Sequence, residues 1–210
     1  MGSDPSSAAF LIALALLTKG SKLTIHKVIC NDTRIGFVKI LKKMNANVKI
    51  VNLKRSSNSG ESLGSIITCG SNLKGTTVSK NIAKFIDEIP ILCMCASLAK
   101  GVTKFKNVGE LKHKESDRLV EVKKILNQAA VKCKVTKNSI TIYGRGKIDK
   151  QNRSILVKNL NDHRLCLSSA IYSLATGIKT KIKNFENVNT SFPNFVPLIN
   201  KLGGKIIEIK

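Results

Sequence analysis

Aromatic and acidic residues are scarce in this sequence. Aromatic side chains make up 4% of the 210 residues, Trp is absent, and 13 Asp and Glu stand against 36 Lys and Arg, so the formal net charge is +23. So few aromatics leave little material for the base-stacking surfaces of proteins that bind single-stranded nucleic acid. The excess of positive charge still predicts an anionic partner: nucleic acid, an acidic membrane surface, or a phosphorylated or carboxylated metabolite.

Metal-binding cysteine patterns are also missing. The sequence has no Cys-x-x-Cys pair, and its three histidines are not at zinc-ligand spacing from the six cysteines. We therefore expect neither a metal site nor a cofactor. Most of the cysteines lie in apolar runs such as residues 91–96, which is typical of buried thiols in a reducing cytoplasm.

Hydrophobic runs long enough to cross a membrane are not found either. The apolar stretch at residues 8–17 is too short to span a bilayer and lacks the pattern of a signal peptide, so we expect no membrane contact. Ser6 or Ser7 is expected to cap this helix. Because the helical pattern begins within a few residues of the start, we interpret the chain as a piece of a longer protein.

A threefold repeat organises the sequence. Three apolar helical segments end at a glycine, and each is followed by a strand in which lysine alternates with apolar residues. A second helix follows each strand and leads into a further strand. The glycines are Gly20, Gly101 and Gly177; the strands after them are 22–28, 102–108 and 178–185; the second helices are 33–44, 115–129 and 191–202. The strands after the second helices are 45–50, 128–133 and 203–207, with others at 65–69 and 139–143.

The repeat predicts one α/β (α+β) domain over residues 1–210. The first helix of each unit is apolar nearly all round, which is typical of a helix buried on every side. The strands carry lysine on one face, which indicates sheets with a wet outer surface. We therefore expect pseudo-threefold symmetry, with helices inside and sheets outside, and units of about 4–80, 81–150 and 151–210.

Residues 110–118 crowd ionisable groups of both signs just before a predicted apolar helix. A helix N-terminus offers unpaired amides and a positive dipole end, so Lys114 and Arg118 there predict an anion site. Glu115, a carboxylate among cations, can be tuned for proton transfer. A solvated helix start with a few surface ion pairs is the simpler alternative.

Equivalent units would bring their helix N-termini to one end of the domain. That end would collect Asp87, Glu115, Lys114, Arg118, Asp162, His163, Arg164 and Thr190, and we expect an electropositive surface suited to phosphate and carboxylate. Helix capping is an alternative role for Asp32, Asp87 and Asp162. A structural role for His163 is as well supported as a functional one.

Five motifs resemble those of the EPSP synthase (3-phosphoshikimate 1-carboxyvinyltransferase) family. They are Ser-Ser-Ala-Ala-Phe at 6–10, Asp-Glu-Ile-Pro at 87–90, Lys-Glu-Ser-Asp-Arg at 114–118, Asn-Asp-His-Arg at 161–164 and Thr-Ser-Phe-Pro at 190–193. They follow the family's order across essentially the whole chain, but they match only the C-terminal half of the family. The resemblance implies a domain of three βαβαββ units and an active site in the cleft to a partner, the N-terminal-half domain, which this chain lacks.

The resemblance also implies the chemistry. The 5-hydroxyl of shikimate 3-phosphate attacks C2 of phosphoenolpyruvate while C3 is protonated, and the adduct expels phosphate. Asp87 would hold the shikimate hydroxyls and take part in proton transfer, and Glu115 with Lys114 would handle protons at the enolpyruvyl group. Arg118 and Arg164 would grip phosphoenolpyruvate, an anion for which forked guanidinium donors are well shaped.

Further roles and departures follow from the same resemblance. Asp162 and His163 would support Arg164. Thr190 stands where some relatives have a lysine that helps to bind phosphoenolpyruvate, and Glu110 stands where some have an asparagine near the shikimate ring.

Two alternative functions stay open at this point. UDP-N-acetylglucosamine enolpyruvyl transferase shares the architecture, although the Lys-Glu-Ser-Asp-Arg and Asp-His-Arg combination favours the shikimate enzyme. A lysine-rich nucleic-acid-binding module would instead bind oligonucleotides tightly and with a steep salt dependence. As half of an enzyme whose cleft needs both halves, the chain is expected to be inactive alone, and no specific nucleic-acid binding is expected.

Overall fold

The computed structural model describes residues 3–57, 59–158 and 161–208. The first repeat unit contains two helices and three strands, in the order α1 (Pro5–Leu17), β1 (Lys22–Ile29), α2 (Gly36–Lys43), β2 (Asn47–Arg55) and β3 (Ser62–Cys69). The strands form an antiparallel sheet in the order β1-β3-β2, and an isolated bridge from Ser3 to Val28 runs parallel to β1 on its other side.

The second unit repeats this pattern with a longer sheet. It contains α3 (Ile89–Ser97), β5 (Lys100–Lys106), α4 (Arg118–Gln128), β6 (Cys133–Thr136) and β7 (Ser139–Arg145), and its sheet also takes in β4 (Thr77–Val78), which lies in the sequence range expected for the first unit. The sheet order is β4-β5-β7-β6, with β4 parallel to β5 and the other pairs antiparallel. β5 therefore has a parallel neighbour on one side and an antiparallel neighbour on the other.

The third unit has two strands among the described residues. Its elements are β8 (Ser154–Val157), α5 (His163–Thr176), β9 (Lys179–Ile182) and α6 (Phe195–Lys201). β8 and β9 are parallel. Four short 3-10 helices complete the described secondary structure, at Ile82–Lys84, Ile86–Glu88, Gly109–His113 and Phe185–Thr190.

The first helices of the three units form the centre of the domain. α1, α3 and α5 pack against one another, and every residue of α3 is buried. One continuous apolar core surrounds them and includes residues from all three sheets. The expectation of interior helices and outer sheets is confirmed, because helices that are apolar all round gain most from full burial.

The second helices begin later than the sequence pattern predicts. α2 begins at Gly36, α4 at Arg118 and α6 at Phe195, each a few residues beyond the expected start. For α4 the reason is Asp117, whose side chain accepts a hydrogen bond from the amide of Val120 at 3.1 Å and so caps the helix there. Residues 109–113 form a separate 3-10 helix before it.

The expected cap of α1 is wrong in position. Asp4, not Ser6 or Ser7, is the cap: its Oδ2 accepts a hydrogen bond from the amide of Ser7 at 2.8 Å, and Pro5 follows at the first helical position. Asp32 does not cap α2, since Ile35 precedes that helix without a side-chain cap, and Asp32 instead pairs with Lys39 at 3.0 Å.

Gly101 does not end a helix as the repeat predicted. α3 ends at Ser97, and Gly101 lies inside β5 with φ of +102°, a conformation open to glycine. Gly177 does act as the left-handed cap of α5, with φ of +69° and its amide donating to the carbonyl of Ser173 at 2.8 Å.

The predicted strand at residues 203–207 is wrong. Described residues 204–208 form no strand, although they include the β-branched residues Ile206 and Ile207. The side chain of Asn200 makes hydrogen bonds to both backbone groups of Ile206. The amide of Ile206 donates to Oδ1 at 2.9 Å, and Nδ2 donates to the carbonyl of Ile206 at 3.1 Å. The corresponding strands β2 and β6 lie against β3 and β7, and the described part of the third unit has no such neighbour.

Candidate active site

A buried arginine joins carboxylates from all parts of the predicted site. Arg118, the first residue of α4, has a side chain only 1% exposed. Its Nε donates to Asp162 Oδ2 at 2.8 Å, Nη1 to Asp87 Oδ1 at 3.1 Å, and Nη2 to Glu115 Oε2 at 2.6 Å. The structure thus brings together side chains that are distant in the sequence and belong to the second and third units.

Asp162 is both a helix cap and a part of this cluster. It precedes α5, and its Oδ1 accepts hydrogen bonds from the amides of Arg164 at 3.1 Å and Leu165 at 3.3 Å. Its Oδ2 accepts from the Ser116 hydroxyl at 3.0 Å and from Arg118. Because the carboxylate is fully buried and has several donors, it fixes the start of α5 relative to the start of α4.

Asp87 lies where three cations converge. It sits in the 3-10 helix before α3, where it makes no side-chain cap, and its carboxylate is 41% exposed. Besides Arg118, it faces Lys114 Nζ and Arg164 Nη2, each at 3.8 Å. Burial by itself would raise the pKa of Asp87, but Arg164, Lys114 and Arg118 together lower it below its ordinary value. Asp87 is therefore an ionised acceptor at neutral pH.

Lys114 and Glu115 lie side by side between the 3-10 helix at 109–113 and α4. Lys114 Nζ is 2.7 Å from Glu110 Oε1, and this hydrogen bond is the main reason why the pKa of Lys114 is raised. The side chain of Glu115 is 44% exposed, and its carboxylate accepts a hydrogen bond from Arg118. Glu110 therefore contacts one of the predicted site residues.

Arg164 lies in the first turn of α5 and is partly open. Its Nη1 donates to Glu88 Oε1 at 3.3 Å and to the carbonyl of Asp87 at 3.4 Å. Its side chain is 16% exposed. Glu88 in turn accepts a 2.7 Å hydrogen bond from the hydroxyl of Ser6 in α1.

The described ion pairs link eight residues into one network. It contains the three cations Lys114, Arg118 and Arg164, and the five carboxylates Asp87, Glu88, Glu110, Glu115 and Asp162. With all groups ionised the formal charge is 3 − 5 = −2. The ion-paired groups alone thus carry a negative formal charge, although the whole chain is strongly basic.

The remaining predicted site residues lie beside the network. His163 is half-buried, and burial, with a further contribution from Arg164, lowers its pKa, so the imidazole is neutral at neutral pH. Thr190 is exposed and its hydroxyl donates to the carbonyl of Asn187 at 2.7 Å. Asn187 Nδ2 donates to Asn161 Oδ1 at 3.3 Å, which ties this segment to the start of α5. No described contact joins Thr190 to the network.

Sequence reasoning assigned no role to Glu88 or Ser116. Glu88 was expected only as one of the polar residues before a helix, and its place against the apolar residues of α3 was a further signal, since a carboxylate there has to be paired when it is buried. Ser116 carried no signal apart from its place inside the motif at 114–118.

Metal sites and membrane-spanning helices are two features that the sequence did not predict. In residues 3–57, 59–158 and 161–208, no group of three or more His, Cys, Asp or Glu side chains is placed to hold a metal ion. No helix in that part of the chain is long and apolar enough to cross a membrane.

The arrangement of interior helices and outer sheets, with the ion-pair cluster at the helix N-termini, defines the fold class of this domain. The chain aligns over 98% of its length with the enolpyruvyl transferase NikO from Streptomyces tendae, with a TM-score of 0.70 and 14% identity, a likeness of fold alone. The domain thus has the enolpyruvyl-transferase fold. It aligns more closely with EPSP synthase from Acinetobacter baumannii, with a TM-score of 0.89 and 33% identity over 96% of this chain and 46% of that one.

Sequence comparison gives the family. A profile of EPSP synthase (3-phosphoshikimate 1-carboxyvinyltransferase) matches residues 1–199. The 3-phosphoshikimate 1-carboxyvinyltransferase of Clostridium tetani is 40% identical over 192 residues, which are 91% of this chain and 43% of that protein. The chain therefore belongs to the EPSP synthase family, and it spans a little less than half the length of the curated relatives it matches.

Proposed function

We propose that the chain forms one wall of an active site that transfers the enolpyruvyl group of phosphoenolpyruvate to the 5-hydroxyl of shikimate 3-phosphate. The observation that supports this most is the convergence of Asp87, Glu115 and Asp162 on the buried guanidinium of Arg118. Family membership adds the substrate class, since the relatives are named for this reaction. The UDP-N-acetylglucosamine enzyme and the nucleic-acid module have no comparable support.

The carboxylates and Lys114 would carry the proton steps. Asp87, kept ionised by its cationic neighbours, would accept a hydrogen bond from a substrate hydroxyl and take part in its deprotonation. Glu115 is half-exposed and would move the proton at the enolpyruvyl carbon. Lys114, whose pKa is raised, would act beside it as a positive charge that stabilises the anionic adduct.

The two arginines would bind the phosphoenolpyruvate anion in different ways. Arg164 has one long contact, to Asp87, on Nη2, so a carboxylate or phosphate could take that donor with little rearrangement. Arg118 would share Nη1 or Nη2 with the anion after Asp87 or Glu115 shifts, while Nε stays with Asp162. His163 and Asp162 would support Arg164 from its own helix, and Thr190 would supply a hydroxyl near that helix.

The charge of the network supports a need for a partner. Two anionic substrates would meet an ion-pair set of formal charge −2, which favours additional cations from outside this set. The chain spans under half the length of its relatives, which leaves a large part of their sequence to supply them. We therefore propose an N-terminal-half domain as the partner, and no turnover by this chain alone.

The third sheet supports the same partner. β1 and β5 each have an antiparallel neighbour, whereas β9 pairs only with β8 among the described residues. The outer edge of β8 is covered by Gln128, whose Oε1 accepts from the amide of Leu156 at 2.8 Å. In the described part of the chain the unpaired edge is therefore that of β9, and we propose that an extended segment of the partner inserts between β9 and residues 204–208.

A chimaera tests this function. In it, residues of this chain replace the matching 192-residue region of the Clostridium tetani relative, so that both halves are present. Release of phosphate that depends on both substrates, and its absence from the isolated chain, is the expected result. A folded chimaera without turnover, or one that uses UDP-N-acetylglucosamine as the acceptor, would contradict the proposal; tight, salt-sensitive oligonucleotide binding by the chain would favour the nucleic-acid module.

The cellular location stays a prediction. None of the six cysteines, all of which lie in the described part of the chain, forms a disulfide, and burial raises the pKa of most of them, so they are poorly reactive. Free thiols of this kind agree with a reducing cytoplasm.

A further inference from the structure

Glu88 is a buried carboxylate for which the proposed reaction has no use. It is 5% exposed and ends the 3-10 helix that leads into α3. Its Oε1 accepts two hydrogen bonds, from the hydroxyl of Ser6 at 2.7 Å and from Nη1 of Arg164 at 3.3 Å. A carboxylate so deeply buried is tolerated when such donors surround it, and it is costly when either is lost.

The two donors come from different repeat units. Ser6 lies in the first turn of α1, Arg164 lies in the first turn of α5, and Glu88 directly precedes α3. The three helices pack against one another, so a single carboxylate oxygen ties together the N-termini of all three central helices. Glu88 thus contacts Arg164 on its buried side, away from the exposed part of the site.

The contact also decides how Arg164 relates to Asp87. Nη1 of Arg164 is held by Glu88 and by the backbone carbonyl of Asp87, while Nη2 stays 3.8 Å from the carboxylate of Asp87. Without Glu88, the nearest carboxylate to Arg164 would be that of Asp87. A close Arg164–Asp87 ion pair would occupy both the arginine donor and the carboxylate oxygen that the proposed reaction needs.

We propose that Glu88 is a positioning residue for Arg164: it holds Nη1, keeps the guanidinium apart from the carboxylate of Asp87, and leaves Nη2 for a substrate anion. The identity of that anion rests on the proposed function, whereas the hold of Glu88 on Arg164 does not. Ser6 anchors Glu88 and so contributes indirectly.

The titration of Glu88 provides a way to detect its contact with Arg164. The charged groups that face Glu88 are Arg164 from α5 and Asp87 from its own segment, and α1 adds the neutral hydroxyl of Ser6. Burial raises the pKa of Glu88, Asp87 adds to this, and the two donors offset part of it. Glu88 thus titrates above the ordinary glutamate range, and Arg164 senses the change through its hydrogen bond.

Arginine side-chain NMR on the 210-residue chain reads this contact directly. The chain has six arginines, so after nitrogen-15 labelling the signal of Arg164 is assigned by comparison with an R164K variant. In the wild type the Arg164 signal should shift with pH in step with Glu88, and its guanidinium protons should exchange at least about fivefold more slowly than in E88Q, because a charged hydrogen bond is lost there. Glu110→Gln is the matched control, since Glu110 contacts Lys114 and not Arg164.

The outcomes separate this inference from the proposed function. An Arg164 signal whose pH dependence and exchange are the same in wild type and E88Q overturns the inference. Should E88Q fail to fold, Ser6→Ala keeps the carboxylate and removes its anchor, and an unchanged Arg164 signal in that variant overturns it equally. In the chimaera, E88Q should raise the KM for phosphoenolpyruvate about tenfold with a smaller change in kcat. If the Arg164 signal of the chain depends on Glu88 but the folded chimaera shows no turnover, the inference is supported and only the proposed function is contradicted.

Discussion

Arg118 and Asp162 form an ion pair in which both partners are buried. The Nε–Oδ2 distance is 2.8 Å, and the two side chains are 1% and 0% exposed. Arg118 begins α4 in the second unit and Asp162 caps α5 in the third, so this contact fixes the two helix starts on which the site depends. Buried pairs of this kind contribute more to a defined geometry than to net stability, but breaking one leaves an uncompensated charge.

Asp162→Asn tests how much the fold depends on the Arg118–Asp162 ion pair. The substitution removes one charge and leaves Arg118 buried, with Asp87 and Glu115 as its remaining partners. We expect the free energy of unfolding to fall by about 3 kcal/mol, measured by urea denaturation. Glu121→Gln is the control, because the Glu121–Lys124 pair is exposed on the lysine side and its loss should cost about 0.5 kcal/mol or less. Equal effects of the two variants would contradict the prediction.

The pH dependence of stability should report Asp87. Its folded-state pKa is lowered, against burial, by Arg164, Lys114 and Arg118. The unfolded chain therefore binds a proton at a higher pH than the folded chain does, so Asp87 stabilises the fold above its ordinary pKa and this stability is lost as the pH falls through the lowered folded-state pKa. The difference in unfolding free energy between wild type and Asp87→Asn should shrink as the pH is lowered through that range. A difference that stays constant from neutral to acid pH would show that the cations do not act on Asp87.

Glu115→Gln separates proton transfer from positioning. Gln keeps an oxygen that can accept from Arg118 Nη2 but cannot take up or release a proton at neutral pH. In the chimaera we expect kcat to fall about 100-fold or more, with a smaller change in the KM for either substrate. Glu110→Gln, which changes a carboxylate outside the contacts of Arg118, should lower kcat far less. Similar losses in both variants would assign the effect to the charge of the network and not to Glu115.

The sequence patterns predicted the parts of the fold that depend on local periodicity. The all-apolar segments at 8–17 and 91–98 became the interior of the domain because no polar face could reach water. The polar residues Asp87, Glu115, Arg118 and Arg164 were expected to lie together because equivalent helices should start at one end, and the structure places them in one network.

Features set by contacts between units could not be predicted. Asp4 displaces Ser6 as the cap of α1, and Ser6 is then free to bind Glu88 across two units. The gathering of five carboxylates in one network was not predicted either, because the sequence as a whole is dominated by lysine. Such contacts join residues more than 70 positions apart and leave no periodic trace in the sequence.

The failed strand at residues 203–207 leads to the last prediction. Its sequence favours a strand, and β2 and β6 show where it would lie, at the outer side of an antiparallel neighbour that β9 lacks among the described residues. If a segment of the partner provides that neighbour, the amides of 179–182 that do not face β8, and those of 204–208 other than the bonded amide of Ile206, should exchange fast in the isolated chain. In the chimaera they should exchange at least about tenfold more slowly, because a paired strand protects its amides.

The first sheet is the control for this measurement. β3 already lies between β1 and β2, so its amides should exchange at similar rates in both proteins. Protection that rises everywhere by the same factor would indicate a general gain in stability, not an added strand. Unchanged exchange at 179–182 in an active chimaera would show that the edge of β9 stays open, and residues 204–208 would then owe their irregular path to Asn200 alone.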